Sequence, residues 1–252
     1  MNQSTLNKLN QMHLWGMEAT LKGIIGNVQN DGLTADELVE LLIQAEWEYR
    51  ENQRIERCLN NAAFRYQAFI DNIDYSPGRK LDKNLILRLA DCSYIDRAEN
   101  VIITGATGVG KSYIATALGH QACLKGKKVL YRNAQKLFTL LRISRADGSY
   151  IKEMNKIEKK DVFIIDDFGL EVLDHKTSLM LLEILEDRIG KKTTIIASQL
   201  PYEKWYDVIT EKTIADAIMD RLINSSHKIA LQGESMRKKK GTLANFRGIM
   251  LT

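Results

Sequence analysis

A chain of 252 residues hides roughly 70% of its unfolded surface on folding, which allows one substantial core and a smaller satellite. With 44% hydrophobic and 27% charged residues, an N-terminus without an apolar stretch long enough for a membrane span, and Cys58, Cys92 and Cys123 odd in number, far apart and without a CxxC pair, neither a membrane span, a disulfide framework nor a zinc site is suggested. A cytoplasmic globular protein without a signal peptide is expected. The net charge of +4 is uneven: residues 1–98 carry 11 Lys/Arg against 14 Asp/Glu, while residues 221–252 carry seven basic residues against one acidic. The run Arg237-Lys238-Lys239-Lys240 in that last segment suits a polyanionic partner such as nucleic acid, or is a solvated tail.

In chain order, Leu6, Leu9, Met12, Leu14, Met17, Leu21 and Ile24 recur at three- and four-residue steps, the period of a helix. Thr34 and Glu37 form a capping-box pair that opens a second helix, continued by Leu38, Leu41, Leu42 and Ala45 towards Phe64. The first third therefore reads as a small all-helical domain, residues 1–70. A boundary near Asp74 to Asn84, where Pro77 precedes Gly78 and a polar run, leads into a second domain, residues 71–252. From residue 100, short β-rich runs alternate with helical patterns. NVIIT is followed by a helix from Lys111 to about Lys125, then KVLYR, a long helical stretch and DVFII. A helix from about Lys176 to Ile189, TTIIAS, a helix near Thr213 to Ile223, and HKIAL complete the series. Five near-continuous apolar strands separated by helices predict an α/β fold whose parallel sheet is covered on both faces.

The chemistry is concentrated at two strand ends. Gly105-Ala106-Thr107-Gly108-Val109-Gly110-Lys111-Ser112 fits the phosphate-binding loop pattern in full, between an apolar strand and a helix. Glycines let the backbone curl until its N–H groups face phosphate oxygens, and the following helix adds its positive N-terminal dipole. Lys111 is expected to reach the β and γ phosphates of ATP and Ser112 to coordinate Mg²⁺, with Tyr113 completing the nucleotide-contacting segment. Val162-Phe163-Ile164-Ile165 runs into Asp166 and Asp167 at the ligand-binding edge of such a sheet. Asp166 is the expected Mg²⁺ residue, and turn formation is the plain alternative for this pair. Asp166 to Gly169 also fits a GTPase DxxG, but Asn155-Lys156-Ile157-Glu158, the nearest thing to a guanine-recognition motif, precedes it in the wrong order. Asp167-Phe168-Gly169 reads as DFG, but no HRD catalytic loop accompanies it.

These motifs, with LVELLIQAEWEYRENQRIERCLNNAAF, AENVIITGATGVGKS, VFIIDDFG, TTIIASQLP, AIMDRLINSSHKI and GESMRKKKG, resemble the IstB transposition helper ATPases, relatives of DnaC-type helicase loaders within the AAA+ class. The resemblance implies a P-loop AAA+ domain with a five-stranded parallel sheet. It also implies no full C-terminal lid, since about twenty residues follow HKIAL. In such a protein Asp167 stands where a glutamate commonly orients the attacking water, and is one methylene shorter. Gln199, or its neighbour Ser198, takes the sensor-1 position. Arg221 would be an arginine finger reaching the adjacent subunit's ATP, or a surface ion pair, and Arg237 a sensor-2 residue or simply part of the basic run. Arg142, Arg145, Lys152 and Lys156 lie where initiator and loader relatives carry a DNA-facing helical insertion, or on a merely solvated helix face. The resemblance further implies ATP-driven homo-oligomers on double-stranded DNA, a transposase partner guided to its target, and disassembly on hydrolysis. A helicase loader is the alternative; a small-molecule kinase is disfavoured for want of an Arg-rich lid segment after the Asp166 strand.

Overall fold

The computed structural model of the chain describes residues 2–26 and 32–236. Its contacts divide it into two compact units, Met1–Arg57 and Cys58–Thr252.

The first unit holds helices α1 (Asn2–Gln11) and α2 (Trp15–Gly26) and most of α3 (Ala35–Ala62). The periodic stretch from Leu6 to Ile24 is two helices rather than one, broken at His13, whose φ of 59° lies in the left-handed region. The break lets α2 start against α3. A Cβ on Gly16 would stand 2.4 Å from the Ala45 carbonyl oxygen, so only glycine permits the approach. Glu46, buried on α3, accepts from the Gly16 and Met17 amides at 2.8 and 3.3 Å and from Arg50 Nε at 2.7 Å. A carboxylate thus caps the first amides of α2, where the helix dipole favours negative charge. Burial acts to raise the Glu46 pKa, but Arg50 and those amides together bring it below the ordinary value. The capping box forms as read: the Thr34 amide donates to Glu37 Oε2 at 2.8 Å and the Glu37 amide to Thr34 Oγ1 at 3.3 Å.

In the second unit, α4 (Lys83–Ala90) and α5 (Ser93–Asp96) precede β1 (Asn100–Gly105), α6 (Lys111–Leu124) and β2 (Val129–Asn133). Then come α7 (Ala134–Asp147), α8 (Tyr150–Glu158), β3 (Val162–Phe168), α9 (His175–Arg188) and β4 (Thr193–Ser198). The described chain closes with α10 (Trp205–Val208), α11 (Lys212–Ile223) and β5 (Ser226–Leu231). The strands form one parallel sheet in the order β2-β3-β4-β1-β5. Alternate strand residues feed two cores, as a period of two requires. Val101, Ile103, Val129, Ile164 and Ile195 face α4 and α6. Ile102, Leu130, Phe163, Ile165 and Ile196 face α7, α8, α9 and α11. Burying each such side chain is worth about 1.5–3 kcal/mol, which explains why the strands read as unbroken apolar runs.

Two local details depart from the sequence reading. Residues 58–70, expected in the N-terminal domain, contribute Ala62 and Ala68 to the core under α6, with Phe64 packed on it, so the compact units divide between Arg57 and Cys58. The long helical stretch after β2 splits into α7 and α8 at Gly148, whose φ of 79° ends α7 in a left-handed cap. Asp147 then accepts from the Ser149 amide at 2.9 Å in the turn. No described helix is long and apolar enough to cross a membrane.

Candidate functional site

The site lies where the C-terminal ends of β1, β3 and β4 meet the N-terminus of α6. Gly105, Gly108 and Gly110 have φ of 148°, 83° and 100°, conformations that side-chain-bearing residues rarely adopt. The loop they form leads straight into α6 at Lys111. Lys111 is only 6% exposed, and its Nζ donates to the Ala106 carbonyl at 2.8 Å, which folds the ammonium back over the loop. Ser112 Oγ donates to Asp166 Oδ1 at 2.9 Å. Asp166, 1% exposed, also accepts from the Tyr131 hydroxyl on β2 and from the Asp167 amide at 2.9 Å. Burial raises the Asp166 pKa and the neighbouring Asp167 charge adds to this, against the Tyr131 and Ser112 hydrogen bonds. A cation beside this carboxylate would favour its charged form.

Asp167 occupies a strained position. The pairing of β3 with β4 shifts register between Ile165 and Phe168, and Asp167 takes a φ of 58°. For a non-glycine residue that costs on the order of 1–3 kcal/mol, tolerated where the surroundings over-determine it. The bulge turns its carboxylate out of the sheet toward Asn133 at the end of β2, whose Nδ2 donates to Asp167 Oδ2 at 3.0 Å. Gln199, just past β4, is brought to the loop: Thr107 Oγ1 donates to Gln199 Oε1 at 2.7 Å. Ser198, its rival at that position, is fully buried, donates to the Phe168 carbonyl at 2.8 Å and accepts from Trp205 Nε1 and the Leu200 amide.

A cavity of about 430 Å³ opens over these groups, lined by Thr107, Gly108, Gly110, Lys111, Ser112, Tyr113, Asp167 and Gln199 together with Arg65, Tyr66 and Met236. The Tyr66 and Tyr113 rings stand nearly parallel, 6.3 Å apart at 16°. The cradle suits a nucleoside polyphosphate: a loop curled at its glycines, one ammonium, and a helix N-terminus. The Ser112 hydroxyl and Asp166 carboxylate in contact are the hard oxygen donors that suit Mg²⁺, which takes one or two protein oxygens and leaves the rest to water and phosphate.

Arg142, Arg145, Lys152, Lys156 and Arg221 do not line this cavity. Arg221, at the last turn of α11, donates to Glu186 Oε1 at 2.7 Å and to the Ala217 carbonyl at 2.8 Å. It lines a recess with Asn100, Thr194 and Ser225, at the opposite ends of the strands from the phosphate loop. Arg142, Arg145, Lys152 and Lys156 are exposed on α7 and α8. Arg145 stacks 4.5 Å above the Tyr150 ring and stands 3.7 Å from Glu183, and Lys156 stands 3.6 Å from Glu153. Arg142 lines a groove of about 200 Å³ that shares Asp167 with the nucleotide cavity. Arg237 lies outside the described residues. Sequence reasoning missed Tyr131, Asn133, Arg65 and Tyr66. For Asn133 a signal existed, a polar residue ending the strand that pairs with β3; for the others only the packing reveals them.

A phosphate loop on β1, an acidic pair ending β3 and the 2-3-4-1-5 parallel order define a P-loop ATP-binding protein of the AAA+ class. The sequence profile of the family described as "IstB-like ATP binding protein" matches residues 7–244, and the chain belongs to that family. It is similar to the insertion sequence ATP-binding protein y4pL of Sinorhizobium fredii (strain NBRC 101917 / NGR234), 41% identical over 94% of this chain and 96% of that one. The insertion sequence IS1162 ATP-binding protein of Pseudomonas fluorescens is 40% identical over 80% of this chain and 87% of its own. In fold it is similar to crystalline DnaI, with a TM-score of 0.57 and 22% identity over 66% of this chain and 92% of that one. It is also similar to the replication initiator DnaA bound to AMPPCP and single-stranded DNA, with a TM-score of 0.60 and 18% identity over 73% and 57%.

Proposed function

We propose that the protein hydrolyses ATP to ADP and phosphate at interfaces between identical subunits assembled on double-stranded DNA, and that the assembly directs a transposase to its target. The observation that carries the nucleotide part is the junction of phosphate loop, Ser112 and Asp166 around one cavity. Bound Mg²⁺ would neutralise and orient the phosphate oxygens, held by Ser112 and Asp166. Lys111 would turn from the Ala106 carbonyl to the β and γ phosphates. Asp167, aimed by its strained backbone and by Asn133, would orient the attacking water, and Gln199 would contact the terminal phosphate. Arg221 lies across the sheet from its own chain's loop, so a role on ATP requires a neighbouring subunit's site. Arg237 would take a nucleotide-contacting role only from the segment that follows Met236, a residue lining the cavity.

The insertion-sequence relatives favour the transposition reading over a helicase loader. For DNA, Arg142, Arg145, Lys152 and Lys156 offer phosphate contacts on exposed helices, without a base-reading motif. Few contacts per subunit make binding weak until ATP joins subunits along one duplex. Fluorescence anisotropy at one fixed salt concentration should therefore show duplex binding with a non-hydrolysable ATP analogue and little with ADP. The Arg142→Ala, Arg145→Ala double variant should bind DNA more weakly while retaining ATP. Equal DNA affinity with both nucleotides would refute the coupling.

A further inference from the structure

The turn that looks like an interdomain boundary in the sequence lies against the phosphate loop. Arg79 closes the short helical turn Pro77–Arg79 and is only 7% exposed. Its Nη2 donates to the Val109 carbonyl inside the loop, and its Nη1 donates to the Asp74 carbonyl at 3.0 Å. Its Nε is buried with no hydrogen-bond partner among the described residues, and the Asp74 carboxylate stands 4.0 Å from Nη1. A Cβ on Gly110 would lie 2.8 Å from Nη2, so the loop and the guanidinium are in direct contact. A second segment closes on the same place. The Gln232 amide donates to the Arg79 carbonyl at 3.1 Å, and the Met236 amide to the Gly108 carbonyl at 2.9 Å. The Ser235 side chain packs on Gly108, where a Cβ would meet its Oγ at 2.2 Å. Three stretches far apart in sequence, residues 76–80, 105–110 and 232–236, thus form one bracket.

We propose that Arg79 is a positioning residue for phosphate binding: by holding the Val109 carbonyl outward it turns the Gly110 N–H of the same peptide plane inward, toward the phosphates. The proposal rests on ATP binding by this loop. In a trans peptide the carbonyl and the N–H point in opposite directions, so fixing one fixes the other. A planar guanidinium holds two carbonyls on different segments in one fixed geometry; a lysine ammonium is a single point of donors on a flexible stem and fixes neither carbonyl's direction as rigidly. An outward carbonyl without its donor leaves a buried acceptor unsatisfied, and the peptide gains a reason to flip. A flipped plane would present oxygen, not N–H, to a phosphate.

The test uses the full chain and three proteins: the parent, Arg79→Met and Arg79→Lys. Calorimetric titration with ATP and with ADP should show both variants weakened about tenfold or more toward each nucleotide. Circular dichroism should report an unchanged fold. Val109-Gly110 is the single Val-Gly pair in the sequence, so carbonyl-¹³C valine with ¹⁵N glycine gives one resonance for the Gly110 amide. In the parent, ADP should shift this resonance and slow its exchange; in the variants it should do neither. Parental affinity in a folded Arg79→Met protein overturns the proposal. Full rescue by Arg79→Lys also overturns it, because charge alone would then suffice. Should Arg79→Met fail to fold, the parental resonance and Arg79→Lys still decide: a Gly110 amide indifferent to ADP overturns the proposal. A parent that binds neither nucleotide is a different result, and overturns the ATP-binding reading beneath it.

Discussion

At the scale of single residues, the acidic pair ending β3 shows how one strand end divides its work. Asp166 is buried and held by three donors, whereas Asp167 is turned outward by a left-handed backbone and held by Asn133 alone among the contacts described above. Tyr131 is the least expected of these partners, because a tyrosine in an apolar strand reads as core. Burial and its hydrogen bond to Asp166 both raise the Tyr131 pKa, so the hydroxyl stays a donor across the working pH range. Its removal in Tyr131→Phe leaves the ring's packing and frees one Asp166 oxygen to wander. The Mg²⁺ concentration for half-maximal turnover should rise about tenfold or more, on the order expected for loss of a partner that orients a metal-binding carboxylate. Nucleotide binding measured without metal should not change. An unaltered Mg²⁺ dependence, followed with Mn²⁺ binding by electron paramagnetic resonance as a second readout, would show that Tyr131 only packs.

At the scale of elements, glycines decide where helices break and how closely they meet. Gly148 divides α7 from α8 by adopting a left-handed conformation, while Gly16 permits contact between α2 and the backbone of α3. The two effects differ physically, since one is a matter of φ and the other of volume. Gly16→Ala should therefore destabilise the first unit by about 1–3 kcal/mol, the usual cost of overpacking, although alanine is the better helix former. Thermal or urea unfolding of the variant measures this, and a variant at least as stable as the parent would mean that the close approach is not maintained in solution. The described residues that line the phosphate-loop cavity all belong to the second unit, so ATP affinity should stay at the parental value.

At the scale of the whole molecule, the separation of Arg221 from its own phosphate loop carries the case for shared sites. Its ion pair with Glu186 on α9 is partly exposed, the kind worth little in stability, so exchanging Glu186 for a neighbour's phosphate is not costly. Arg221→Ala should leave the ATP affinity of an isolated subunit unchanged and lower turnover by about 10³-fold, as loss of an arginine finger does. Lys111→Ala should bind no ATP yet keep its arginine. Mixing the two in equal amounts should restore up to about a quarter of parental turnover, through head-to-tail interfaces that join an intact loop to an intact arginine. No recovery at any ratio, with mixed assemblies verified by cross-linking, would rule out a composite site.

By itself the sequence determined the parallel α/β fold, the phosphate loop, and the roles open to Lys111, Ser112 and Asp166. These depend on short-range patterns: near-continuous apolar strands, glycines at fixed offsets, a carboxylate at a strand end. Resemblance carried the order of the remaining candidates along the chain. What only the tertiary structure decided is which distant groups converge. Gln199 rather than Ser198 meets Thr107, because Ser198 points into the core and is held by Phe168 and Trp205. Tyr131 and Asn133 reach Asp166 and Asp167 through the register of β2 on β3. Residues 58–70 and Arg79, read as domain edge and linker, pack around α6 and the loop, because a helix that covers a sheet must itself be covered and a curled loop must be held from behind. Such convergence has no period and no spacing, since it joins residues through space and not along the chain.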